Sequence, residues 1–346
     1  MKKILFVITT MLCMYACTNE RCLEESNNML EQRGLYTVFM SLNDSLLNVL
    51  PKENYVVTRA DWNWWRILKV ASADIRGAYK GVKIGRGAAT VAGLVTGGTG
   101  AAVITGLSGA VGAACYSFCA DLATSATISE AVLETELVCE AYTTAKEENV
   151  NYINLQFPSA YAYMNISGGM HNSILKNLAQ IIPITTIVPS NSEAVVGTDR
   201  TDSDNSGDTE TSIMTTSSTL ESAVPIINTV ECQQLEQAVF SSTEFAESMD
   251  EIPVSVAGFY QEDGELDIEK YLASADNDMT NNESAVFKAY MEMCWSGCTS
   301  LTDLIEVANA YIAEITNQSQ LTIEEKESLF LMIAVSINSV YYWQQK

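Results

Sequence analysis

Gly77, Gly81, Gly85, Ala89, Gly93 and Gly97 recur at strict four-residue spacing in the first third of the chain. With about 3.6 residues per turn, that spacing lays an almost bare strip of backbone along one helical face. Each glycine in a helix interior costs roughly 1 kcal/mol against alanine, so a run of them demands a compensating contact. The contact that small residues permit is a second helix at short distance. Gly97-Gly98-Thr99-Gly100 reads as a turn, and Ala102, Gly106, Ala110 and Ala114 repeat the small strip on a second arm. The spacing therefore predicts a close-packed αα-hairpin with matched small faces.

The surroundings of this lattice leave two environments open. From Gly87 to Ala120 no residue is charged, and the second arm, Ala101 to Ala120, has the roughly 20 residues needed to span a bilayer. The first arm is uncharged only from Gly87 to Thr96, and both arms are rich in Ala, Gly, Thr and Ser, which argues for a soluble hairpin. Ahead of the lattice stands Asp61-Trp62-Asn63-Trp64-Trp65, an N-cap followed by aromatics. The cations Arg66, Lys69, Arg76, Lys80, Lys83 and Arg86 follow, mostly on one side of a helix and opposed only by Asp74. Trp62, Trp64 and Trp65 with these six cations are expected at a membrane interface. The alternative is an ordinary amphipathic helix whose indoles face a core. A basic, aromatic entry helix followed by a glycine zipper resembles pore-forming bacteriocin peptides, which implies a membrane-perturbing protein as the second functional reading.

The N-terminus has the form of an export signal. Lys2 and Lys3 make a basic n-region, and Ile4 to Leu12 an uncharged apolar segment too short to span a bilayer. Met14-Tyr15-Ala16-Cys17 resembles a bacterial lipobox, in which a small residue precedes the cysteine that becomes the lipidated N-terminus. That resemblance implies removal of residues 1–16 and lipid on Cys17; plain secretion with nearby cleavage is the competing reading. Glu20, Glu24 and Glu25 resemble the acidic surface-export signal of Bacteroidota lipoproteins, and Asp44-Ser45-Leu46 the O-glycosylation motif of that phylum. Through Lys2-Lys3, Ala16-Cys17, Asp61 to Trp65 and the Gly77 to Gly112 lattice, the chain resembles a Bacteroidota-type envelope lipoprotein. The resemblance implies the outer membrane as location, on either face, and the lipid bilayer as partner. A second copy of the chain is the other partner that small helix faces could take.

Charge narrows the partners further. The balance of 19 Lys and Arg against 43 Asp and Glu leaves a net −24, which argues against nucleic acid. At 47% hydrophobic residues the chain has material for a sizeable core. Of its nine cysteines, Cys13 lies in the signal and Cys17 is the proposed anchor, leaving an odd set of Cys22, Cys115, Cys119, Cys139, Cys232, Cys294 and Cys298. That is not a dense disulfide scaffold, and with one histidine in the chain the C-x-x-x-C pairs 115/119 and 294/298 lack the ligands for zinc. Buried thiols packing as small hydrophobes are the expectation.

The fold expected is mainly α: a glycine-zipper αα-hairpin plus a C-terminal helical domain, with at most one small β-hairpin. Residues 1–16 are the signal peptide, and 17–60 an amphipathic helical segment with Leu30, Leu35, Val38, Phe39, Leu42, Leu46, Leu47 and Leu50 for one face. Residues 61–127 hold the entry helix and hairpin, and 128–189 a helical segment with a helix from Ser129 to Asn149 and another opening after Gly168-Gly169. Residues 190–222, rich in Ser, Thr, Asp, Asn and Gly, are a disordered linker or insertion. Residues 223–346 form the C-terminal domain. There Thr322-Ile323-Glu324-Glu325 is a capping box, Ser300 a helix start, and Val254 to Ile268 a β-hairpin about Asp263-Gly264.

Chemistry-bearing patterns are sparse. His171 must serve any Ser-His-Asp or Cys-His arrangement, yet it sits in Gly168-Gly169-Met170-His171-Asn172-Ser173 at an expected helix start, without a nucleophile elbow. Asp202 to Asp208 matches the first half of an EF-hand loop, but Ile213 stands where the bidentate glutamate belongs. No phosphate loop is present. The expectation is a non-enzymatic protein with no cofactor and no metal, and a hydrolase only as a remote third reading.

Overall fold

A computed structural model describes residues 34–50, 59–91, 99–122, 152–181, 258–261 and 266–345, together with positions 243, 247 and 256. The architecture is mainly α. Cys17, the expected helix from Ser129 to Asn149, the linker at 190–222 and its calcium-like loop lie outside the described residues, as do Gly93 and Gly97.

The first helix, α1, covers 34–49 and buries Leu35 and Phe39, with Leu50 buried just beyond its end. Leu42 and Leu46 pack against the core, whereas Val38 and Leu47 are exposed because they flank this stripe. Asn43 shares its buried face, donating to the Ala289 carbonyl at 2.9 Å and accepting from the Tyr311 hydroxyl at 2.7 Å.

Helix α2, Arg59–Val91, runs unbroken for about 50 Å. Helix α3, Thr99–Leu122, returns antiparallel to it, and the two form the most extensive helix pair among the described residues. Thr99 and Gly100, expected in the turn, already belong to α3. The hairpin is close because backbone meets backbone. A Cβ added to Gly77 would meet the Gly112 carbonyl oxygen and lie 2.8 Å from Cβ of Tyr116. One added to Gly81 would meet the Ser108 carbonyl and lie 3.2 Å from Cα of Gly109, and one on Gly112 would lie 2.9 Å from Cα of Gly81.

The second arm corrects the expected register. The stripe of α3 that meets α2 is Ser108, Gly109, Gly112 and Tyr116, not the strip through Gly106 and Ala110. Gly106 instead admits Ser167 of α4 (Met164–Ile181), whose hydroxyl would stand 2.5 Å from an added Cβ. Residues 105–117 are buried on every side, so α3 is an internal helix and has no single contact face.

The C-terminal helices are α5 (Ile268–Asp278), α6 (Asn281–Gly297), α7 (Leu301–Asn317) and α8 (Ile323–Gln344). The expected starts of α7 and α8 are present: Ser300 accepts from the Asp303 N–H, and Thr322 with Glu325 forms a full capping box. Sequence reading missed a third start, the capping box of Thr280 and Glu283 that opens α6. The two boxes are joined, since the Thr280 hydroxyl donates to Glu325 at 2.6 Å. Leu304, Ala308, Tyr311, Ile312 and Ile315 of α7 are buried. Helix α8 is buried continuously from Ser328 to Val340 and packs on α2, α3, α4, α6 and α7, so it and α3 form the centre. One hydrophobic cluster runs from Leu35 to Val340 and so crosses the expected domain boundaries.

Two further expectations change. Among the described residues, the expected β-hairpin is represented by one antiparallel bridge, Tyr260 to Leu266, beside an Asp267 N–H to Phe259 carbonyl bond of 2.8 Å. Helix α4 begins at Met164, so Gly168 and Gly169 lie inside it, and Asn172 and Ser173 are interior residues rather than caps. The physical reason is close approach once more: a Cβ on Gly168 would stand 2.9 Å from the Ala334 carbonyl of α8, and one on Gly169 would press the Tyr152 ring. Ahead of α4, residues 152–158 have no regular secondary structure and are held by side-chain amides. The N–H groups of Ile153, Leu155 and Gln156 donate to Asn338, Asn165 and Asn309 at 2.9, 2.8 and 2.8 Å.

Glycines of α2 in different surroundings separate packing from propensity. Gly77→Ala and Gly81→Ala should each destabilise by about 1–3 kcal/mol or more through overpacking of the hairpin. Gly87→Ala, in the same helix with nothing near its added Cβ, should instead stabilise by roughly 0.5–1 kcal/mol. Urea unfolding of the three variants measures the contrast.

A buried acid and histidine centre as candidate site

Asp74 lies three residues ahead of Gly77 on the face of α2 that approaches α3. The short helix separation that the glycines permit brings Ser117 of α3 to it, with the Ser117 hydroxyl donating to Asp74 Oδ2 at 3.1 Å. From α8, the Ser339 hydroxyl donates to the same oxygen. From α4, His171 sets Nε2 at 3.3 Å from it. Nδ1 of His171 faces Asn172 Oδ1 at 3.0 Å, and the Trp343 indole donates to Ser117 Oγ at 3.2 Å. Asp74, His171, Ser117 and Ser339 have no solvent exposure. Four helices thus converge on one carboxylate.

The composition is that of a Ser-His-Asp set, but the connectivity is not. In such a set the imidazole takes the proton of the attacking hydroxyl while the carboxylate orients the ring. Here both hydroxyls donate to Asp74, and neither is bonded to the ring. A buried carboxylate needs hydrogen bonds to offset its desolvation, and Ser117 and Ser339 supply two of them to Oδ2. The arrangement is suited to joining helices. A small cavity of about 10 Å³, lined among others by Leu68, Ser72, Ile75, Tyr290 and Cys294, has room for one water at most.

Of the residues expected at a membrane interface, Trp64, Lys69, Arg76 and Arg86 make contacts within the protein. Trp64 is half-buried and its indole donates to the Cys298 carbonyl at 3.2 Å. Lys69 Nζ lies 4.3 Å from the Tyr260 ring centroid. Arg76 is buried at 1% exposure and donates to the Ser274 carbonyl at 3.0 Å. Arg86 pairs with Glu327 of α8 at 2.7 Å and reaches Thr105 of α3 at 3.4 Å. Lys80 is half-buried, and Lys83 is exposed with Nζ 4.9 Å from the Tyr79 ring. Long cationic stems reach acceptors from a covered helix, and those acceptors come from residues far along the chain. Trp62, Trp65, Arg66, Ala89 and Ala102 lie within α2 or α3, while Gly85 and Ala110 are buried. Among the described residues, no helix is long and apolar enough to cross a membrane.

Cys115, Cys294 and Cys298 are buried. A hydrogen bond with Cys294, together with burial, pushes the Cys298 thiol well above its ordinary range, which leaves little reactive thiolate. Among the described residues no cluster has the donors for a metal ion. Sequence reading missed Asp74 as the buried neighbour of His171, and Ser117 and Ser339 as donors to Asp74. The one available signal was Asp74 itself, a lone acid inside a basic run one turn ahead of the first zipper glycine.

Compared with protein families, with curated proteins and with solved structures, the chain matches none. The class of protein is therefore defined by its own geometry: a mainly helical body built around a glycine-zipper hairpin and a buried polar centre.

Buried tyrosines make the fold sensitive to alkali. Burial above all raises the hydroxyls of Tyr163, Tyr271, Tyr290 and Tyr311 well above their ordinary value of 10.0, and pushes Tyr342 up to about 12. A group raised on folding contributes stability that is complete below its unfolded value and lost as pH climbs to the folded one. Stability should thus hold to about pH 10 and fall steadily through pH 12. Phenolate absorbance should rise together with loss of helical circular dichroism.

Proposed function

We propose that this protein is a non-enzymatic, lipid-anchored protein of the cell envelope, held at the outer membrane by lipid on Cys17. Its glycine-zipper hairpin is the inner scaffold of a soluble helical body. The observation that carries this reading is the closed hairpin: Gly77, Gly81 and Gly112 meet opposing backbone, while Gly106 and Gly109 receive Ser167 and Leu331 from α4 and α8. With these faces occupied within the chain, the signal-like N-terminus and Ala16-Cys17 supply the attachment to the bilayer. The strongly acidic balance keeps the body away from anionic lipid and nucleic acid.

Cys17→Ala alone should move the full chain from the membrane to the soluble fraction, with the hairpin intact. Membrane fractionation with high-salt and carbonate washes measures this, and retention of that variant would overturn the anchoring. The competing pore-forming reading requires the hairpin to leave the core. It is supported instead if the full chain releases dye from liposomes.

A further inference from the structure

The corner between α6 and α7 carries two cysteines one helical turn apart. Cys294 lies in the last turn of α6 and Cys298 caps it, and both are buried. Four residues of helix separate two Cα atoms by about 6 Å, within the range that a disulfide spans. The two thiols share a hydrogen bond, so their sulfurs are already neighbours. The backbone of Cys298 is extended (φ −103°, ψ 134°), so its side chain is not bound to the direction a helical residue takes. The corner around them is well fastened. The Trp64 indole of α2 donates to the Cys298 carbonyl at 3.2 Å, and the Thr299 N–H and hydroxyl both donate to Asp303 Oδ2 of α7 at 2.9 Å.

We propose that Cys294 and Cys298 are a disulfide site, oxidised by exchange with a disulfide-bearing oxidant as the chain folds and then enclosed in the core. One cysteine thiolate attacks the oxidant R–S–S–R, forming a mixed disulfide and releasing RS⁻. The second thiolate attacks the sulfur of the first cysteine and expels the other RS⁻, and the two protons lost by the cysteines end on two R–SH. The chain loses two electrons and the oxidant gains them. Burial sets the timing. In the unfolded chain the thiols have their ordinary acidity, with a pKa of about 8.5, and exchange readily. In the folded body, the hydrogen bond and burial hold Cys298 protonated, and the core shields both sulfurs from reagents in solution. The bond staples the corner where α2, α6 and α7 meet. Its oxidant in the cell rests on the envelope location proposed above, because disulfides persist in oxidising compartments, whereas the pairing itself does not.

The test uses the full chain refolded from urea with oxidised and reduced glutathione, so its outcome is independent of where the protein resides. Remaining thiols are then blocked with N-ethylmaleimide in urea, and the chain is cut with trypsin. Lys288 and Lys326 bound a peptide, residues 289–326, that holds these two cysteines and no others. The expected peptide carries no label and is lighter than its dithiol form by two hydrogens, and prior reduction in urea should restore two labels. Two labels without reduction, a glutathione adduct or linkage to another peptide would overturn the site. The stapling role is read by urea midpoints with and without dithiothreitol, for the unaltered chain and for a Cys294→Ala, Cys298→Ala double variant. Reductant should lower the midpoint of the unaltered chain by more than that of the variant, and equal shifts would overturn the staple. If the variant does not fold, an unlabelled, internally bridged peptide still supports the site and a doubly labelled one overturns it.

Discussion

Direct contact between the backbones of α2 and α3 governs the rest of the structure. Most helix pairs are held apart by their side chains, at about 8–10 Å between axes. Here Gly77, Gly81 and Gly112 remove that spacer, and the carbonyls of Gly112, Ser108 and Gly77 lie where side chains would otherwise stand. The close pair brings Ser117 within reach of Asp74 and Thr105 within reach of Arg86. It also leaves α3 thin enough to be enclosed by α2, α4 and α8. The helix penalty of several glycines is offset by packing gained along the hairpin.

Such a thin, apolar, internal helix has a cost in specificity. Residues 105–117 offer small or aliphatic side chains to every neighbour, with Tyr116 as the bulky exception. Polar contacts set the register along and around it. Asp74, His171, Ser117 and Ser339 join four helices at one end of the hairpin. Arg86, Thr105, Ser328 and Glu327 join α2, α3 and α8 nearer the turn. Between α6 and α8, the paired capping boxes do the same work through Thr280 and Glu325. Arg76 and Arg86, two of the six cations in the stripe, thus reach acceptors within the body.

In the proposed function, envelope attachment and folding belong to separate parts of the chain. The proposed lipid anchor acts through Cys17 at the N-terminus, whereas the zipper closes inside the body. A glycine lattice behind a basic and aromatic helix has the composition of a membrane-active segment. What distinguishes the two cases is whether other helices cover it, and α4 and α8 are contributed by residues well downstream.

The hairpin itself was legible in the sequence because glycine spacing reports angular position directly, and the starts at Ser300 and Thr322 were legible because capping is a local contact of three residues. The buried stripe of α7 from Leu304 to Ile315 was legible for the same reason: its amphipathic period is strong. Tertiary structure alone decided which face of α3 meets α2, since a helix small on all sides carries no period that marks one face. It also decided that Gly168 and Gly169 belong inside α4, where Ala334, Asn338 and Tyr152 come close, although locally they read as a helix start. Local pattern records where a residue points on its own helix. Whether Arg76 points to water or to Ser274, and whether His171 stands alone or beside Asp74, depends on partners brought together only by the fold, about a hundred or two hundred residues apart.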